Sequence, residues 1–169
     1  MKLLNTAFGQ LAFAWKLHNY GCNDKINYEE LDEEITYKDG AMVFVVPKAL
    51  QSPDDLIIAL ENNLGIAFGA AAITLNKVRE KMKIPSPNPI ESENDQCVAL
   101  IYQIRNAFAH DIAEPTWEMK ERYKRTYEFG RMKFDLTDLN GEPFSYEQIG
   151  GPGKLFRIKD FFSSTFGEL

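Results

Sequence analysis

The stretch "SPDDLIIALENNLGIAFGAAAITLNKVREKMK", residues 52–83, constrains this chain more than any other. Leu56, Leu60, Leu64, Phe68, Ala71, Leu75, Val78 and Met82 recur every three or four residues, the spacing that puts side chains on one helical face. Ser52 stands where an N-cap belongs, and Pro53 is pre-set for the first helical position. Asp54 and Asp55 complement the positive end of the helix dipole, and the basic residues that close the run complement the negative end. An apolar stripe this long has to be covered by other elements. Gly65 and Gly69 lie inside it, and each costs stability relative to Ala. The pair marks a place where another helix comes close.

The rest of the chain supplies partners for that helix. Leu4, Phe8, Leu11, Trp15 and His18 predict a helix over residues 3–18, ended near Gly21. Asn27 to Glu34 is acidic and reads as a solvated loop or short helix. "ITYKDGAMVFVV" predicts a hairpin, with β-rich pieces flanking Asp39-Gly40. Three prolines in "IPSPNPIE" break the chain. A further helix is predicted from Ser92 to Ile112, stopped by Pro115. Beyond it, the pattern predicts two to four short strands, a turn at Asn140-Gly141 and a final helix in "GPGKLFRIKDFFSSTF". The expected fold is mainly α, a helical bundle with a small β-hairpin and a strand-containing C-terminal extension. Residues 1–115 form the expected helical core, and residues 116–169 an extension packed on the same domain.

Composition narrows the function. At 169 residues the chain can build one compact domain with a core. Its net charge of −6 argues against coating nucleic acid through bulk charge, though not against gripping a few phosphates locally. Cys22 and Cys97 form no disulfide framework, and two histidines form no ligand cluster, so no metal and no cofactor is expected. The N-terminus lacks a continuous apolar stretch of the signal-peptide type, and the run Leu64–Leu75 is shorter than the roughly 20 residues that span a bilayer. The expectation is a soluble, cytoplasmic protein with no membrane partner.

Chemistry concentrates in "IYQIRNAFAHDIAEPTW", residues 101–117. On a helical wheel, Cys97, Ile101, Ile104, Phe108 and Ile112 form the core stripe, with Arg105 beside it. Asn106 and His110, four apart, fall nearly opposite with Ala99, Tyr102 and Ala109. That second face has no Lys or Glu, and its small residues suggest the close approach of a partner helix. Arg carries a fixed cation whose fork fits phosphate. His gives and takes protons near neutral pH, and Asn holds a tautomer or a hydroxyl. The set suits phosphodiester cleavage.

"RNAFAH", Arg105 to His110, resembles the Arg-polar-x-x-x-His signature of the HEPN superfamily, and the resemblance covers roughly residues 1–115. It implies a HEPN-like helical bundle with the motif on a late helix. It also implies a metal-independent endoribonuclease of toxin or defence type, acting as a homodimer through the motif helix. His110 would then be general acid or base, Arg105 the stabiliser of the phosphorane, and Asn106 a positioning residue. The RNA 2′-hydroxyl would attack and leave a cyclic phosphate. Tyr102, Ala109, Lys120 and Arg122 are the expected substrate or dimer face, and a cognate antitoxin is a candidate partner. The alternative is a non-catalytic HEPN-like binding or assembly module. Positive charge for RNA would come from Lys120–Arg125 with Arg131 and Lys133, or from Lys77–Lys83.

Overall fold

The computed structural model describes residues 2–167. In chain order the elements are α1 (Lys2–Cys22), α2 (Tyr28–Leu31), β1 (Ile35–Asp39), β2 (Met42–Val46), α3 (Pro53–Lys81), α4 (Glu93–Ala107), β3 (Thr126–Phe129), β4 (Met132–Asp135) and α5 (Lys154–Phe166). Helices dominate, with two separate antiparallel hairpins, so the fold is mainly α as the sequence predicts. The chain has two compact units, Met1–Leu11 with Gly65–Leu169, and Ala12–Leu64.

In the smaller unit, α3 begins as its sequence dictates. The Ser52 hydroxyl accepts the Asp55 N–H at 3.3 Å, and the Asp55 carboxylate accepts the Gln51 N–H at 2.8 Å. The first helix ends at Cys22, beside Gly21 as the sequence predicts, though Gly21 is not an exposed cap. It is buried in the last turn, where Leu60 occupies the space a Cβ would need, and the chain turns afterwards through Asp24 at φ 52°. The hairpin β1–β2 pairs Tyr37 with Phe44, and Gly40 takes φ 58° in its two-residue turn. Its seven large apolar side chains are between 48% and 60% exposed.

The larger unit holds most of the core. Phe68 and Leu75 of α3, Leu100, Ile101 and Ile104 of α4, and Phe162 of α5 are fully or almost fully buried. The hairpin β3–β4 alternates as a half-buried hairpin should. Tyr127, Phe129, Met132 and Phe134 point inward, while Glu128 and Lys133 pair outside at 2.8 Å. Its turn is Gly130-Arg131, both at positive φ. The expected turn at Asn140-Gly141 also forms, but it joins no hairpin strands. The Asn140 side chain accepts the Met119 N–H at 2.7 Å, and Gly141 N–H donates to the Trp117 carbonyl at 2.8 Å. Trp117 is fully buried and stacks on Phe144, so it packs the segment after Pro115 into the core.

Gly69 explains itself within this unit. A Cβ there would lie 2.6 Å from Phe108 Cδ1 and 3.0 Å from Ile112 Cγ1. The close approach expected at Gly69 is real, and it is made with the end of the motif helix. Gly65 has only Tyr146 Oη nearby, at an ordinary 3.7 Å. The apolar stretch of α3 is longer than the run Leu64–Leu75: an 18-residue window reaches a mean hydropathy of 1.7, enough by length and composition to cross a bilayer, and 44% of that window is buried inside the protein.

A candidate ligand pocket beside the motif helix

The N-terminus of α4 is built by a capping box. The Ser92 hydroxyl accepts the Asp95 N–H, and the Asp95 carboxylate accepts the Ser92 N–H at 2.9 Å. Hydrogen bonds from Ser92 hold the Asp95 carboxyl below its ordinary range. The same end is tied to the second hairpin. Gln96 accepts the Glu128 N–H at 2.7 Å, and Glu93 accepts the Gly130 N–H at 3.0 Å.

The other end departs from expectation. The helix stops at Ala107 with Phe108 as C-cap, well short of Ile112. The Asp111 carboxylate accepts the N–H groups of Ala113 and Glu114 at 2.8 and 3.1 Å, a local turn that competes with further helix. Those bonds hold its carboxyl below the usual range. Pro115 disfavours helical geometry at the preceding residue, and Thr116 N–H turns back to the Ala107 carbonyl at 3.1 Å. Ala109 and His110 therefore lie beyond the helix, and Asn106 and His110 do not stack on one helical face.

The second face of α4 is covered by the chain itself. Ala99 is fully buried, α4 packs against β3 and α5, and Tyr102 meets the Tyr123 ring at 5.8 Å. Ala99 is the small residue of that face that is covered, whereas Ala109 is exposed.

A cavity of about 420 Å³ opens between α4 and this segment, in the size range of small-ligand sites. It gathers four of the predicted residues: Tyr102, Asn106, Lys120 and Arg122. Arg105 is not part of its wall but donates to the Asn106 side-chain oxygen at 3.1 Å. His110 is also outside it. Its ring Nε2 lies 3.3 Å from the Glu118 carboxylate, which does belong to the wall, and its side chain is 76% exposed. Asn106 thus engages Arg105, and the acidic neighbour of His110 is Glu118.

The sequence reading missed Gln103. It is 1% exposed, it lines the cavity, and neither its amide nitrogen nor its amide oxygen has a hydrogen-bond partner in the chain. No other described residue has a buried side-chain polar atom in that state. Each such group costs about 1–3 kcal/mol. The other buried polar side chains are satisfied: Arg79 donates to Asn76 at 2.9 Å and to the Ile84 carbonyl at 2.6 Å.

Six of the expected cations have partners or a place at the cavity. Arg79, Lys124, Arg125 and Lys133 are engaged by the fold, through Asn76, Glu121, the Ile90 carbonyl and Glu128 respectively. Lys120 and Arg122 remain at the cavity, with Arg122 over the Tyr123 ring at 4.6 Å and donating to the Tyr123 hydroxyl at 2.7 Å. Among the described residues no cluster of three or more His, Cys, Asp or Glu side chains could hold a metal. In the smaller unit, His18 lies near Cys22, whose Sγ is 3.5 Å from Nε2 and 4.0 Å from Nδ1, and near Glu61, 3.8 Å from Nε2. Buried Cys97 has its thiol pushed far up by desolvation and is packing.

Compared with protein-family models, with curated proteins and with solved structures, the chain gives no match in any of the three.

Proposed function

We propose that this protein is a HEPN-type, metal-independent endoribonuclease of toxin or defence type that works as a homodimer. The observation that carries the reading is the cavity itself. It joins aromatic rings, amides and two cations next to the Arg105–Asn106 pair, a donor set suited to a nucleotide unit of RNA. In this reading the RNA 2′-oxygen attacks the adjacent phosphorus as His110 or its partner copy removes the hydroxyl proton. The P–O5′ bond breaks, the leaving oxygen takes a proton from the imidazolium of His110 of either copy, and a 2′,3′-cyclic phosphate and a 5′-hydroxyl remain. Arg105 offsets charge on the phosphorane, and Asn106 holds the guanidinium. A cognate antitoxin would cover the same surface.

The test is cleavage of single-stranded RNA in excess EDTA. Wild type should cut, and His110→Ala should abolish cutting with an unchanged unfolding midpoint. Wild-type protein that cuts none of a varied RNA panel removes the enzyme reading. One observation favours a second reading, a non-catalytic binding module: His110 is largely in water and off the helix. That reading expects a ligand held without turnover and lost on Lys120 or Arg122 substitution.

A further inference from the structure

We infer that the cavity beside α4 is a base-reading pocket, and that Gln103 is its specificity-determining residue. The inference deepens the RNA reading of the same site and rests on it for the ligand class, a nucleobase with its phosphate.

Three independent features converge. First, Gln103 presents an unpartnered donor and an unpartnered acceptor from a fully buried position in the cavity wall. A carboxamide offers a hydrogen-bond donor beside an acceptor, the complement of a nucleobase edge. Second, Tyr102 and Tyr123 line the same cavity, their centroids 5.8 Å apart, and give a base an aromatic surface. Third, Lys120 makes no ion pair among the described residues and can meet a phosphate at the rim, while the Arg122 guanidinium, held over Tyr123 and donating to its hydroxyl at 2.7 Å, adds a fixed positive charge there. Glu118 is the one acidic wall residue, and it faces His110. Ala99 and Ala107, one turn away on either side of Gln103, offer it no side-chain partner. A ligand supplies the partner that the chain does not.

The experiment titrates full-length protein with the four ribonucleoside 5′-monophosphates and with four homotetranucleotides, by calorimetry, alongside Gln103→Leu and Lys120→Ala. Wild type should prefer one base. Gln103→Leu should lose that preference, weakening the preferred base about tenfold while leaving the others nearly unchanged. Its unfolding midpoint should hold or rise, because an unsatisfied buried amide has been replaced by an apolar group. Lys120→Ala should weaken all bases alike and reduce the salt dependence. Tetranucleotides binding much more tightly than monophosphates identifies an RNA strand as the source, and equal affinity identifies a free nucleotide. Absence of binding by all eight ligands overturns the inference. So does binding with an intact base preference in Gln103→Leu, or a lowered midpoint with all ligands weakened together, the signature of a structural glutamine. Base-selective binding without any RNA cleavage retains the pocket and removes only the nuclease reading.

Discussion

Substituting Gly69 and Gly65 with Ala tests the packing that sets the end of the motif helix. Both glycines lie in α3, four residues apart, and on helix propensity alone either change should stabilise by about 0.8–1 kcal/mol. The structure separates them. At Gly69 the new methyl would sit 2.6 Å from Phe108 Cδ1 and 3.1 Å from its Cγ. Phe108 cannot easily yield, because Phe144 packs on it at 4.8 Å and Phe68 at 5.5 Å. Overpacking of this kind costs about 1–3 kcal/mol, so Gly69→Ala should be neutral to destabilising by about 2 kcal/mol. At Gly65 the nearest atom is Tyr146 Oη at 3.7 Å, so the propensity gain should survive. Urea unfolding of the two variants should place their stabilities about 1–3 kcal/mol apart, with Gly65→Ala the more stable. Equal stabilisation by both would refute the close-contact argument. Gly69→Ala should also impair any activity of the site, because Phe108 is two residues from both Asn106 and His110.

Three further outcomes follow from individual contacts. Ser92→Ala should cost about 0.5–2 kcal/mol by urea unfolding. Asp95 has a folded pKa below its unfolded one, so its contribution is present above about pH 4 and is lost as pH falls through the folded value; the variant should flatten that acid limb. The half-buried Tyr146 hydroxyl is pushed up to about 12 by desolvation, so its contribution is complete below about pH 10 and is lost as pH rises through 12; Tyr146→Phe should shallow the alkaline decline in unfolding midpoint. Val43→Thr on the exposed first hairpin should change stability by no more than about 0.5 kcal/mol, whereas Phe134→Ala in the buried second hairpin should cost about 3–5 kcal/mol by the same assay.

Those contrasts show which parts of the fold the sequence could disclose. The start of α3 was readable because cap, proline, acids and stripe are all local and agree. The start of α4 at Ser92 was readable because cap, first-turn acids and stripe are again local. Its end was not, because it depends on the Asp111 turn and on a bond from Thr116 back to Ala107, which spacing does not reveal. The wheel correctly set Tyr102 and Asn106 apart from the main stripe, but a wheel cannot say what covers a face. A partner helix was the natural inference from Ala99 and Tyr102, and the chain's own C-terminal segment supplies neighbours for α4, the helix α5 and the strand β3 among them, with Tyr123 against Tyr102. Gln103 was overlooked because a single glutamine carries no motif. The available signal was its neighbourhood: an amide between Tyr102 and Ile104, with alanines one turn away on either side.

The wet position of His110 gives the enzyme reading a consequence that the binding reading lacks. A side chain 76% exposed gains little from its ion pair with Glu118, since exposed pairs are worth at most about 1 kcal/mol. Such a pair cannot by itself hold an imidazole in reactive geometry or exclude water from a phosphorane. Catalysis at His110 therefore needs a second surface, and a second copy of this chain is the surface that the proposed homodimer supplies. Cleavage per mole of protein should rise with protein concentration and level off as the dimer forms, tracked by analytical ultracentrifugation under the same conditions. Mononucleotide binding in the cavity should not follow that curve, because Tyr102, Gln103, Lys120 and Arg122 all come from one chain. Two inactive variants offer the sharper comparison. His110→Ala mixed with Arg105→Ala should regain part of the lost cleavage if one subunit's arginine serves the other subunit's histidine. Full activity from a protein that remains monomeric at every concentration tested would sink the requirement for a second copy.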